Sequence, residues 1–134
     1  MNTKFIVSCL VMAVASLMVG FLVHGLALQN DYARLPGLYR TEAAQQGQFV
    51  YMLLAHLLIG IGLTWIYRRG HEAGKSVLSQ GARFGAAIAV VSIIPGFLIY
   101  FAVQPLPSDL VAQQIVFGSI GLVLLGVIVA WLNK

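Results

Sequence analysis

Two histidines lie inside long apolar runs, and their side chains are the ones best suited to chemistry. His24 falls near the end of the first run, and His56 falls in the first half of the second run. At about 1.5 Å of rise per residue, their depths in two antiparallel helices differ by about 6 Å, so the rings can approach each other. Two neutral imidazoles at similar depth can ligate a haem iron or a single metal ion. The alternative is that each ring makes a hydrogen bond between helices.

Other catalytic chemistry has little support in the sequence. The chain contains no GxSxG motif, no phosphate-binding loop, no HExxH motif and no acidic residue inside the apolar runs. The single cysteine, Cys9, lies within an apolar run, where it is expected to behave as a small hydrophobic residue. The residue types therefore favour a non-enzymatic protein, although they leave an enzymatic role open.

Polar and aromatic side chains are concentrated at the ends of the runs where the two histidines lie. Tyrosine and glutamine commonly line the membrane interface, and that is one interpretation of this asymmetry. The other is a polar pocket that accepts a small amphiphile, a quinone head or a lipid. The candidate pocket residues are His24, Tyr32, Arg40, His56, Tyr100, Gln104 and Gln114.

Four apolar runs must position these residues. The chain is 60% hydrophobic and 9% charged, and its mean hydropathy is +0.90. Soluble domains carry roughly 25% charged residues. About 20 apolar residues cross a bilayer core as a helix, because backbone amides in lipid need partners within the chain. The predicted helices cover about residues 5–28, 49–67, 84–103 and 110–132 of a single membrane domain, 1–134.

The basic residues predict how the helices are oriented. Six of the eight Lys and Arg residues would lie on one side, which places both termini in the cytoplasm of a bacterial inner membrane. The loop of residues 29–48 is then periplasmic and is expected to carry one interfacial segment. The predicted fold is an all-α, antiparallel bundle of four transmembrane helices. The six residues are Lys4, Arg68, Arg69, Lys75, Arg83 and Lys134, and the other two are Arg34 and Arg40.

The net charge of +4 and the pI near 9.6 do not indicate a nucleic-acid partner. The basic residues flank the apolar runs instead of lining one face of a helix, so they are expected to set the topology. The cytoplasmic loop of the prediction, Arg68–Arg83, can also hold anionic lipid. Membrane lipids are therefore the expected surroundings of the chain.

Small residues recur every four positions in each run, and they predict which helix faces meet. Lipid tails are as apolar as leucine, so small and polar residues carry the packing signal in membranes. A bend is expected at Pro95-Gly96, because proline removes a backbone donor. The glycines predicted to pack between helices are Gly20, Gly60, Gly81, Gly85, Gly96, Gly118 and Gly126.

Several short strings resemble a family of small bacterial four-span membrane proteins of unknown function. The resemblance covers nearly the whole chain and implies the four-helix topology, with no catalytic residues to carry over. The strings are Phe21-Leu-Val-His-Gly-Leu-Ala-Leu28, Asp31-Tyr32, Tyr39-Arg40-Thr41, Ile66-Tyr-Arg-Arg-Gly70, Gly81-Ala-Arg-Phe-Gly85 and Tyr100-Phe-Ala-Val-Gln-Pro-Leu-Pro107.

The sequence thus leads to one principal functional hypothesis and two alternatives. The principal hypothesis is a non-enzymatic inner-membrane subunit that forms a homo-oligomer or joins other membrane proteins, without a cofactor. The first alternative is a protein that binds or transports a small molecule, lipid or quinone in the predicted polar pocket. The second is a subunit that holds haem or a metal through His24 and His56.

Overall fold

The computed structural model describes residues 2–134, and its long segments are helical. Four of them are long and apolar enough to cross a membrane: Thr3–Ala27, Phe49–Gly70, Val77–Val103 and Ser108–Leu132. The prediction of four such helices is confirmed. The third helix begins at Val77 instead of Phe84, because the Ser76 side chain caps it by accepting a hydrogen bond from the Ser79 amide.

Seven α-helices make up these spans and the first loop. A π-helical segment extends α1, and two short helices lie in the loop for which one segment was predicted. Gly37 lies between those two helices with φ +88°, a conformation that favours glycine. The elements are α1 (Thr3–Gly20), the π-helix (Phe21–Ala27), α2 (Gln29–Ala33), α3 (Glu42–Gln46), α4 (Phe49–Gly70), α5 (Val77–Val91), α6 (Ile93–Val103) and α7 (Ser108–Leu132).

The third span is broken at Ser92, between α5 and α6. Ser92 has φ −126° and ψ −70°, and its hydroxyl donates a hydrogen bond to the Ile88 carbonyl at 2.6 Å. Pro95 has no N–H for the carbonyl one turn earlier, and its ring crowds that carbonyl. The bend expected at Pro95-Gly96 therefore occurs in the turn before the proline.

The four spans form two tightly packed pairs. The first pair is α1 with α4, and the second is α5 with α7. The pairs meet where α1 contacts α7, so the helices follow one another in the order α4, α1, α7, α5. Lys4 Nζ donates a hydrogen bond to the Lys134 carbonyl at 2.9 Å, which places these two residues at the same end of the helices. This end, which also carries Arg68, Arg69, Lys75 and Arg83, is called the basic end below, and the opposite end is called the polar end.

Four of the predicted glycines lie where two backbones approach closely. A Cβ added at Gly126 would lie 2.2 Å from the Gly81 carbonyl oxygen and 2.7 Å from the Gly85 nitrogen. A Cβ added at Gly60 would lie 2.5 Å from the Cys9 carbonyl oxygen. Real Cβ atoms are not found at such distances. Both helix pairs can therefore pack this closely only because glycine has no side chain at these positions.

The other three predicted glycines differ from these. Gly20 faces the His56 ring, and Gly118 faces the Ile93 side chain. Gly96 does not pack as predicted, because an added Cβ would meet no atom within 4 Å. The break at Ser92 interrupts the helical register, so the stripe of small residues on α5 does not continue onto α6.

Candidate functional site

At the polar end, the π-helix places His24 opposite the short helix α2. The Leu28 amide donates to the Val23 carbonyl at 2.9 Å, which is the five-residue spacing of a π-helix. Such segments are frequent at functional sites because they widen one turn and re-aim its side chains. His24 thereby contacts Tyr32 of α2. Nothing in the sequence analysis predicted this local change of helix type.

Tyr32 joins His24 to the last span. Gln114 Nε2 donates to the Tyr32 hydroxyl oxygen at 3.3 Å, and that oxygen lies 2.6 Å from His24 Nδ1. Because the oxygen already accepts from Gln114, its own hydrogen is available to His24 Nδ1. Burial raises the pKa of Tyr32 above its ordinary value, so the hydroxyl keeps this hydrogen at neutral pH. The result is a chain of donors running from Gln114 through Tyr32 to His24.

His56 has a different hydroxyl partner. The Ser16 hydroxyl donates to the Ala13 carbonyl at 2.9 Å, so its oxygen can accept from His56 Nδ1, also at 2.9 Å. The His56 ring of α4 lies against Gly20, four residues before His24 in the first span. The two imidazoles therefore lie near each other, but each is hydrogen-bonded to a separate hydroxyl. Ser16, His24, Tyr32, His56 and Gln114 are called the polar-end cluster below.

Each of the two histidines is hydrogen-bonded to a separate hydroxyl through Nδ1. In the tautomer of His24 that accepts the Tyr32 hydrogen at Nδ1, Nε2 carries a hydrogen and offers no lone pair to a metal. Within residues 2–134, no group of three or more His, Cys, Asp or Glu side chains is placed to hold a metal ion. The hydrogen bonds of both rings match the alternative for these two residues, hydrogen bonding between helices.

Arg34 links α2 to α7 beside the polar-end cluster. Its guanidinium pairs with Asp31 within α2 and lies 3.4 Å from Asp109 Oδ2 in the first turn of α7. Asp109 is also favourably placed at the positive end of the α7 dipole. These exposed ion pairs are individually weak, but together they tie α2 to the helix that carries Gln114.

The structure brings together four of the seven predicted pocket residues: His24, Tyr32, His56 and Gln114. Arg40, Tyr100 and Gln104 are exposed, and no side-chain hydrogen bond in the described chain joins them to the cluster. Ser16 and Tyr39 were not among the predicted site residues. Ser16 lies four residues before Gly20 and eight before His24, so the four-residue spacing of small and polar residues could have indicated it. Tyr39 packs on Tyr32 at 4.6 Å between ring centroids, and no spacing rule predicts that contact.

The basic end carries two surface concavities. One, of about 250 Å³, is lined by Asn2, Phe5, Trp65 and two arginines. There Arg68 lies over Phe5 and Arg69 over Trp65, at 5.4 and 4.9 Å from the ring centroids. The other, of about 370 Å³, lies between α4 and α5 and is called the α4–α5 groove below.

A buried glutamine shapes the loop beside the α4–α5 groove. Gln80 Oε1 accepts from the Glu72 amide at 2.9 Å, and Nε2 donates to the carbonyls of Glu72 and Lys75 at 2.9 and 3.2 Å. The Glu72 carboxylate pairs with Lys75, whose hydrogen bond and charge hold the pKa of that carboxyl below its usual value. The loop is therefore ordered, and its acidic group is already neutralised.

No family model, curated protein or solved structure matches this chain. The fold and the residues at its two ends define only a general class of protein. The chain is an all-helical protein whose composition is that of a multi-pass membrane protein. A hydrogen-bonded polar cluster lies at one end of its helices, and basic concavities lie at the other.

Proposed function

We propose that this protein is a non-enzymatic subunit of a membrane assembly, and that it associates through its helix edges with further copies of itself. The proposal places it in a bacterial inner membrane with the basic end in the cytoplasm, following the distribution of Lys and Arg. The arrangement of the four spans is the observation that carries this proposal.

In a closed four-helix bundle, each helix packs between two neighbours. Here α1 and α7 are central. The helix α4 packs mainly on α1, with a smaller contact to α7, and α6 packs on α7 and the adjoining α5. The helices α4 and α6 are thus two edges with few partners in the chain. A second copy can supply the missing neighbour, and most assemblies of identical chains are closed and symmetric.

The edge helix α4 carries a glycine that has no partner within the described chain. A Cβ added at Gly62 would meet nothing within 4 Å. Gly60, two residues from Gly62 and on the opposite face of α4, lies at the close approach to α1 described above. Interfaces between membrane helices are enriched in glycine because it lets backbones come close. Gly62 therefore supports an approach of another helix to α4 from outside the chain.

Gly62→Leu is expected to shift the protein from oligomer to monomer, because the added side chain keeps a second helix away from α4. Native mass spectrometry after extraction in mild detergent measures the distribution of oligomers. Gly47→Leu is the matched control, since Gly47 lies outside the spans and an added Cβ there meets only the Ala44 carbonyl oxygen, at 3.8 Å. A wild-type protein that is monomeric in both detergent and lipid nanodiscs, with no co-purifying protein, would contradict the proposal.

A second candidate function is the binding of a quinone or another small amphiphile at the polar-end cluster. Gln114 is 3% exposed, and its Oε1 has no hydrogen-bond partner in the described chain. The hydroxyl group of a reduced quinone could donate a hydrogen bond to this oxygen, which has no other donor among residues 2–134. A short-chain quinol is then expected to raise the melting temperature of the wild type and not of Gln114→Leu. Equal shifts in both proteins would remove this candidate.

A further inference from the structure

The α4–α5 groove combines an apolar wall with a charged rim at the level where the spans end. Its wall is formed by Ile66 and Tyr67 of α4 and by Phe84 and Ala87 of α5. Tyr67 is 4% exposed and meets the Phe84 ring edge-on at 5.4 Å between centroids, so this wall is held in place by packing. An apolar concavity with a fixed wall suits an acyl chain.

Beyond the groove, the helices α4 and α5 make few contacts with each other. The helix α4 packs on α1 while α5 packs on α7, and the aromatic contact at the basic end bridges the two helices. In a membrane, lipid chains occupy any gap between helices that side chains leave open. A chain lying along Ala87 and Ile66 therefore has its headgroup at the rim of the groove.

The rim offers a guanidinium that is largely uncommitted. Arg83 Nη2 lies 3.9 Å from Glu72 Oε1, the outer limit of an ion pair, whereas Lys75 pairs closely with the same carboxylate. The Arg83 side chain is 67% exposed. Arginine presents a planar fork of N–H donors that matches phosphate oxygens. The Glu72 carboxylate at the rim is the one unfavourable group for an anion, and Lys75 offsets its charge.

We propose that the α4–α5 groove binds one anionic phospholipid, with its phosphate on Arg83 and one acyl chain against Phe84, Ala87 and Ile66. Basic pockets between membrane helices are suited to anionic headgroups, since charge and apolar area act together there. A free phosphate ion would use only the rim. The groove wall therefore identifies a lipid as the ligand. This inference does not depend on the proposed oligomer.

Native mass spectrometry with added lipid tests the site. The wild type is expected to retain phosphatidylglycerol in preference to phosphatidylcholine with the same acyl chains. Arg83→Gln is expected to reduce retention of phosphatidylglycerol about five-fold and to leave phosphatidylcholine unchanged, because one charge near the surface contributes about that much. Arg40→Gln removes the same charge from an exposed residue in the loop at the polar end and is expected to behave as the wild type.

A second variant tests the apolar wall without touching the rim. Ala87 is exposed in the groove, so Ala87→Trp is expected to fill it and to lower retention of phosphatidylglycerol with all charges intact. Unchanged retention in both Arg83→Gln and Ala87→Trp overturns the proposal. An equal loss in Arg40→Gln overturns it too, because that result means non-specific attraction. Inorganic phosphate is also compared with phosphatidylglycerol for protection from thermal unfolding. Equal protection by the two would show a site for free phosphate and would overturn the proposal.

Discussion

Gly126→Ala is expected to lower the free energy of unfolding by about 3 kcal/mol, although it adds only one methyl group. The new Cβ would lie 2.2 Å from the Gly81 carbonyl oxygen and 2.9 Å from Gly85 Cα. Both are backbone atoms, which cannot rotate away as a side chain can. The helices α5 and α7 must therefore move apart along their contact. Unfolding in mixed micelles, followed by circular dichroism, measures the change.

The higher helix propensity of alanine favours the folded protein, whereas the steric clash disfavours it. The sign of the change in the free energy of unfolding therefore shows whether the clash occurs. Replacing glycine by alanine inside a helix favours the helix by about 1 kcal/mol when no clash occurs. Gly96→Ala is the matched control, since its Cβ meets no atom within 4 Å. That variant is expected to be as stable as the wild type or slightly more stable. Equal stabilities for Gly126→Ala and Gly96→Ala would show that α5 and α7 do not meet at this glycine.

Tyr32→Phe is expected to lower the free energy of unfolding by about 2 kcal/mol, because it leaves the buried Gln114 amide without any partner. Gln114 Nε2 has the Tyr32 hydroxyl as its acceptor, and Gln114 Oε1 already lacks a partner in the described chain. The loss also frees His24 Nδ1, which lies 2.6 Å from the same hydroxyl. Thermal unfolding of the wild type and Tyr32→Phe in the same detergent measures the difference in stability.

The order of the variants separates this hydrogen bond from a loss of packing. Gln114→Leu removes both polar atoms of the amide, so its expected cost is small. The double variant Tyr32→Phe/Gln114→Leu is expected to be more stable than Tyr32→Phe alone. If the effects of the two substitutions simply add, Tyr32 and Gln114 are not coupled and the assigned hydrogen bond is wrong.

The contribution of Tyr32 to the free energy of unfolding is also expected to depend on pH. Burial is the main cause that raises the pKa of this tyrosine above the ordinary 10.0. A group whose pKa is raised in the folded protein contributes stability that is fully present below its unfolded pKa and is lost as the pH rises through the folded value. The difference between the wild type and Tyr32→Phe is therefore expected to be constant near neutral pH and to shrink only in alkaline solution.

Sequence reasoning identified the polar-end cluster in part, and the reason differs from residue to residue. His24 and His56 stood out because a titratable side chain is rare inside an apolar run. Gln114 was included because polar side chains are concentrated at that end of the runs. The prediction also included Tyr100, which, like Tyr32, is a tyrosine predicted near the polar end but is exposed on α6. Residue type and depth do not specify which side of a helix faces a partner, so exposed and engaged tyrosines looked alike.

That four helices are long and apolar enough to cross a membrane was determined by the sequence alone, because it follows from local properties. Run length, apolarity and the absence of charge decide whether a segment can cross a membrane, and all three can be read without any partner. The same local logic predicted the backbone approaches at Gly60, Gly81, Gly85 and Gly126, since only glycine lets helices come that close.

Which helices pair, and what the polar groups bind, was decided only by the tertiary structure. Lipid and leucine are equally apolar, so hydropathy has no preference for α1 against α4 or for α5 against α7. The π-helix at His24 was likewise found only in the structure. Tyr32 is eight residues from His24 but distant in sequence from Gln114, and only folding places its hydroxyl between them. Hydrogen bonds are directional and short, so their partners cannot be chosen before the helices are in place.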